Sequence, residues 1–159
     1  MIEEVLGQLG LAVPPPATPP PGFDFHFERV RVRGNRAFVA GHMPQAPDGL
    51  LCGPFGKVPS QVSVSSAQEA ARNTAMSMLA SLKQTLGDLD RIAAWVLVQG
   101  FVNADPGFPQ TTQVLDAFSD RILEVFGEEV GAHARTAIGV AALPMNSCLI
   151  VTAELEIRP

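Results

Sequence analysis

The chain contains no tyrosine and only one tryptophan, so its aromatic character rests on nine phenylalanines and no phenolic hydroxyl exists in it. Its two cysteines, Cys52 and Cys148, lie far apart, and no CxxC occurs. A disulfide framework and a cysteine zinc site are therefore not expected, and a reducing cytoplasm is the default setting. The three histidines, His26, His42 and His133, show no HxxxH or HExxH spacing, so no metal is expected. Eleven basic residues face sixteen acidic ones, a net charge of -5. Such a surface repels phosphate backbones and anionic membranes, so no nucleic-acid partner is expected. No uncharged apolar run reaches the ~18–20 residues of a membrane span. The opening MIEEVLGQLGLAV has two early glutamates and no basic region, which disfavours a secretion signal.

What is present is a core. With 47% hydrophobic residues in 159, one compact domain can form without covalent staples. Residues 1–22 read as a short helix from Ile2 to Leu11, then the proline-rich linker VPPPATPPPG. Proline lacks a donor and fixes φ, so that piece should lie extended over the domain of residues 23–159. FDFHFERVRV alternates strictly, which predicts a strand with Phe25, Phe27, Arg29, Arg31 and Arg33 on one face. Gly34-Asn35 is a hairpin turn into a second strand over residues 36–44.

Ser66 with Glu69 fits a capping box for a helix running to Gly87, with Ala70, Thr74, Met78 and Leu82 facing the sheet. AAWVLVQGFV predicts a central strand buried on both faces. A second helix is expected over Thr111–Phe126, ended by Gly127, then strands ARTAIGVAALP and CLIVTAELEIR around a turn at Pro144-Met145-Asn146. The order β-β-α-β-α-β-β implies an α+β sandwich, with two helices on one face of a mixed sheet. The other face is apolar enough to need a second copy of the chain.

GNRAFVAGHMP, QEAARNTAMSMLASLKQTLGDLDRI and RTAIGVAALPMN each match a motif of one family. Together they resemble the RidA family (YjgF-type, reactive intermediate deaminase) from about Phe25 to Ile157. VLVQGFVNADPGF and EVFGEEVGAHARTAIGVAALP are closer to a longer, less characterised branch. The resemblance implies a chorismate-mutase-like homotrimer with ligands in clefts between subunits. It implies hydrolysis of a 2-imino or enamine acid to a 2-keto acid and ammonia, with no cofactor.

Carried over residue by residue, the resemblance makes Arg135 the ligand-binding arginine, with the backbone N–H of Ala137 beside it. A guanidinium grips a carboxylate through two parallel charged hydrogen bonds. The competing reading pairs Arg135 with Glu128 or Glu129. Ile150 falls where active deaminases carry the water-holding glutamate, and Thr152 is the next inward position; Glu154 lies further along. Phe27 stands in for the cleft tyrosine. Asp116 matches a helix asparagine and is the candidate general base, if desolvation raises its pKa; the plainer reading is a solvated helix residue. Gly41 lies in the cleft, with His42 and His133 near it; Cys148 reads as a small buried residue. Arg29, Arg31 and Arg33 make a basic stripe, which reads either as a patch for an acidic ligand or, favoured by the acidic overall charge, as a subunit rim paired to a neighbour's acidic residues. A cleft lacking glutamate and tyrosine leaves a non-catalytic trimer holding a small carboxylate as the alternative to a deaminase. A ribonuclease ranks last, since no paired acid and base is visible.

Overall fold

The computed structural model describes all residues, 1–159. After helix α1 (Ile2–Gln8) come strands β1 (Val30–Arg33) and β2 (Arg36–His42) and helix α2 (Val64–Leu86). Strand β3 (Ile92–Asn103), helix α3 (Thr111–Gly131) and strands β4 (Ala134–Val140) and β5 (Leu149–Ile157) complete the chain. The five-stranded sheet has the order β1-β2-β5-β3-β4. Only the β3–β4 pair is parallel, so the sheet is mixed.

Both long helices cover one sheet face. Ala70, Ala71, Thr74, Ala75, Met78, Leu79 and Leu82 of α2 are buried, as their spacing predicts. From α3, Leu115 packs so tightly on β3 that a Cβ at Gly100 would clash with its side chain. Trp95 on β3 meets Phe118 and Phe126 edge-on, with ring centroids 6.4 and 5.6 Å away. The other sheet face has no cover. Phe38 and Ile138 stand 41% and 45% exposed there. Leu97 and Phe101 are only half-buried. The expectation that β3 is buried on both faces therefore fails within one chain.

Several boundaries differ from the sequence reading. The first strand spans four residues, not the whole alternating stretch, and Phe25 and Phe27 precede it. Only Val30–Arg33 finds ladder partners, opposite Val39–Arg36; alternation alone does not supply a partner strand. The cap of α2 is Ser63, whose Oγ accepts from Ser66 N–H at 3.1 Å. Glu69 instead bonds Arg72 at 2.9 Å. Gly127, with φ 72, interrupts α3 but does not end it; a further turn reaches Gly131.

The N-terminal segment is fastened to the domain. Leu6 is buried in the common core, and Glu3 pairs with Lys83 at 2.6 Å. In the proline-rich stretch, the Pro15 carbonyl accepts from Gln45 Nε2 at 3.0 Å, and Thr18 bridges to Leu50.

Candidate functional site

β2 loses register with β5 between Val39 and His42. A bulge of this kind re-aims the residues inside it. Gly41 sits there, on the open sheet face, where an added Cβ would lie 2.8 Å from Ile150 Cγ2. Gly41 is one wall of a cavity of about 700 Å³. Phe27, Gly41 and Ile150, three residues singled out from separate stretches of sequence, all line it. Met43, Leu51 and the Leu143-Pro144 turn close the walls, and the lining is mostly apolar.

Two charged residues reach this cavity, Asp24 and Arg29. Asp24 is exposed at the rim. Arg29 folds back so that its Cζ lies 4.7 Å from the centre of the Phe25 ring. Burial alone pulls its guanidinium down to about 10, still protonated at neutral pH. Arg31 and Arg33 stay exposed in β1, so the three arginines do not form a uniform stripe.

Arg135 lies elsewhere. It projects from edge strand β4 toward α3, on the helix side of the sheet. Its Nη2 pairs with Asp116 Oδ1 at 2.8 Å and donates to the Thr112 carbonyl at 3.3 Å. Its Nη1 donates to Ser119 Oγ at 2.9 Å. Thr112, Asp116 and Ser119 recur at helical spacing and present one face to the strand. The carboxylate it holds is thus neither Glu128 nor Glu129, which lie beyond Gly127. Ser119 passes the contact on, with its Oγ 2.8 Å from His133 Nε2, while His133 Nδ1 donates to the Gly131 carbonyl at 2.7 Å. Burial foremost, and then the Arg135 charge, hold His133 below its ordinary value despite the opposing Gly131 bond. Ala137 shares the helix side and accepts from Thr111 Oγ1 at 3.0 Å through its carbonyl.

Thr152 lies on the open face but outside the cavity, with Oγ1 3.4 Å from Gln99 Oε1. Glu154 is bound to Arg36 at 2.6 Å. His42 does not line the cavity. The bulge turns it to the helix side, fully buried, where Nδ1 donates to the Ala40 carbonyl at 2.6 Å and Nε2 accepts from Ser81 Oγ at 2.8 Å. Burial, with the Arg29 charge behind it, lowers its pKa to about 3, so it is a neutral structural group. Cys148 is fully buried, its thiol pushed up to about 11 by burial.

The candidates therefore form two groups. Phe27, Gly41 and Ile150 surround the cavity; Arg135 and Asp116 hold each other two strands away from Ile150, about 10 Å across the sheet, and on its other face. Sequence reading missed Ser119, whose helical register with Asp116 was a usable signal. It also missed the inward turn of Arg29, which strand alternation concealed.

A family model described as "YjgF/chorismate mutase-like, putative endoribonuclease" matches residues 18–156. This chain belongs to the YjgF/RidA-like family. Among its relatives, Protein TCP17 of Trypanosoma cruzi is 36% identical over 154 residues, covering 96% of this chain and 92% of that one. The crystal structure of Atu1372 from Agrobacterium tumefaciens, a protein of unknown function, is 34% identical with a TM-score of 0.86, covering 99% of this chain and 92% of the other. A structure from Shewanella oneidensis is 27% identical, again with a TM-score of 0.86, and covers 99% of both chains. The similarity thus takes in the N-terminal segment as well as the YjgF/RidA-like domain. None of the helices is long and apolar enough to cross a membrane.

Proposed function

We propose that this YjgF/RidA-like chain forms a homotrimer that binds a small organic acid of the 2-imino or 2-keto class in clefts between neighbouring copies. One observation carries the reading: Phe27, Gly41 and Ile150, from three distant segments, line a single apolar cavity. The oligomer has independent support in the uncovered sheet face, with Phe38 and Ile138 exposed. It also gives a reason for the two separated groups of candidates. A neighbour's β4 edge would bring Arg135 and the Ala137 N–H to the cavity of the next copy. Arg135 would then exchange the Asp116 carboxylate for that of the ligand.

The cavity favours holding an acid over fast turnover. Ile150 has no group to orient or deprotonate water, and Phe27 has no hydroxyl. A missing general base costs about 10²–10⁴ in rate. Thr152 offers a hydroxyl of no useful basicity, outside the cavity. Deaminase chemistry is the second reading, favoured by the Asp116–Arg135 pair at 2.8 Å: a ligand that takes Arg135 releases Asp116 as a carboxylate beside the imine. RNA cleavage fits neither reading, because His42 and His133 are both fixed by internal hydrogen bonds on the helix side. The proposal includes no metal, cofactor, nucleic acid or membrane, and a cytoplasmic setting.

The test is ammonia release from freshly generated 2-aminoacrylate, with saturation binding of 2-keto acids measured in parallel. Acceleration that falls in Arg135→Ala and Asp116→Asn selects the deaminase. Saturable binding without acceleration selects the binding protein. A chain that stays monomeric and binds no small carboxylate overturns both.

A further inference from the structure

Arg29 is the anomaly of the cavity wall. Its Nε and Nη2 are buried with no hydrogen-bond partner, and none of the ion pairs includes it. Around it are the Phe25 ring, a mostly apolar lining and, exposed at the rim, Asp24, with which it forms no ion pair. Leaving charged donors unmatched away from water is costly, and native proteins do so rarely. Arg135, by contrast, has three acceptors already in place. The guanidinium with unused capacity is the one inside the cavity.

We infer that Arg29 is an anion receptor within this cavity, and that the ligand is an organic monocarboxylate with a bulky apolar or aromatic body. The proposal rests on the reading above only in taking the cavity as a ligand site. Size and lining set the ligand class. About 700 Å³ far exceeds the body of a three-carbon keto acid and lies in the range of pockets that enclose larger molecules. Phe25, Phe27, Met43, Leu51 and Ile150 offer such a body dispersion contacts and few polar ones. The unpartnered Nε and Nη2 suit a single carboxylate. Asp24 at the rim would repel a second one, which selects against dicarboxylates.

The experiment compares the binding of phenylpyruvate and pyruvate by calorimetry in the full-length wild type, Arg29→Gln, Arg29→Lys and Arg135→Gln, with sedimentation to fix the oligomeric state of each. The wild type should prefer phenylpyruvate by at least about tenfold. Arg29→Gln should weaken it by roughly 10–100-fold, the effect of losing a charged hydrogen bond. Arg29→Lys should fall between, since it keeps the charge and loses the fork. Equal losses in Arg29→Gln and Arg135→Gln would place both guanidinia on the ligand and uphold the inference. Loss in Arg135→Gln alone overturns it and leaves the organic-acid reading intact, as does a preference for pyruvate. Weaker assembly in Arg29→Gln with unchanged affinity also overturns it, assigning Arg29 to a neighbour's carboxylate. No binding of either acid to the wild type removes the inference together with the reading beneath it.

Discussion

Two arginine–histidine pairs sit at opposite ends of this sheet. In both, the histidine donates Nδ1–H to the carbonyl two residues before it and turns Nε2 to a helix serine: His42 to Ala40 and Ser81, His133 to Gly131 and Ser119. In both, burial foremost and a nearby guanidinium lower the pKa of the ring. The arginines differ. Arg135 joins the network through Ser119 and Asp116. Arg29 touches an aromatic ring and leaves two nitrogens without acceptors. One end of the sheet is internally neutralised, while the other holds an unanswered charge. The first arrangement stabilises the free chain; the second stabilises it only when something anionic arrives.

The largest expected effect is acid sensitivity. His42 is held at about 3 in the fold against an ordinary value of 6.5. Below 6.5 the unfolded chain therefore binds the proton and the native chain does not. Its contribution is fully present above about pH 6.5 and declines as pH falls toward 3, by about 2–3 kcal/mol at about pH 4.5. His133 shifts in the same direction. Urea unfolding across this window should show a steeper acid arm in the wild type than in His42→Gln; parallel arms would remove His42 as the cause.

Next comes the comparison itself. Arg135→Met should destabilise the chain by about 1–2 kcal/mol, because it removes the hydrogen bonds of a mostly buried guanidinium, while Ser119 keeps its bond to His133 and the half-exposed Asp116 turns to water. Arg29→Met should be neutral or stabilising in the free protein, since it removes a buried charge with no partner. Thermal melts without ligand read the difference directly. Equal losses would mean that Arg29 has a partner in the assembled protein. Gly41→Val should cost less in stability, about 1 kcal/mol of overpacking against Ile150, while abolishing acid binding; retained binding would move the ligand out of the cavity.

Much of the fold was legible because periodicity and packing agree. The α2 face and the Gly34 hairpin follow from spacing that burial then uses. The first strand misled because Phe25 and Phe27 keep strand alternation without a strand to pair with; their rings, 5.6 Å apart, wall the cavity instead. Motif places Gly41, Ile150 and Phe27 in one cleft, and all three line one cavity, Gly41 and Ile150 from the open sheet face and Phe27 from the segment before β1. Local sequence could not show that Asp116 meets Arg135. That contact joins a helix to a parallel edge strand across nineteen positions and depends on the rotation of α3. The direction of Arg29 depends on where its strand begins, which alternation does not set.

The smallest effect should come from Asp116→Asn. The carboxylate is half exposed, with 54% of its side chain accessible, whereas its partner is 15% accessible. Water therefore screens the pair from one side, and the substitution keeps an acceptor for Nη2. The stability loss should be about 0.5–1 kcal/mol, the range of exposed ion pairs, and should shrink further in high salt. Its larger consequence should be on binding. With Asp116 neutral, Arg135 is freer to take an external carboxylate, so keto-acid affinity should hold or rise while any ammonia release falls. A loss of affinity in Asp116→Asn would mean that the pair positions Arg135 for the ligand and does not compete with it.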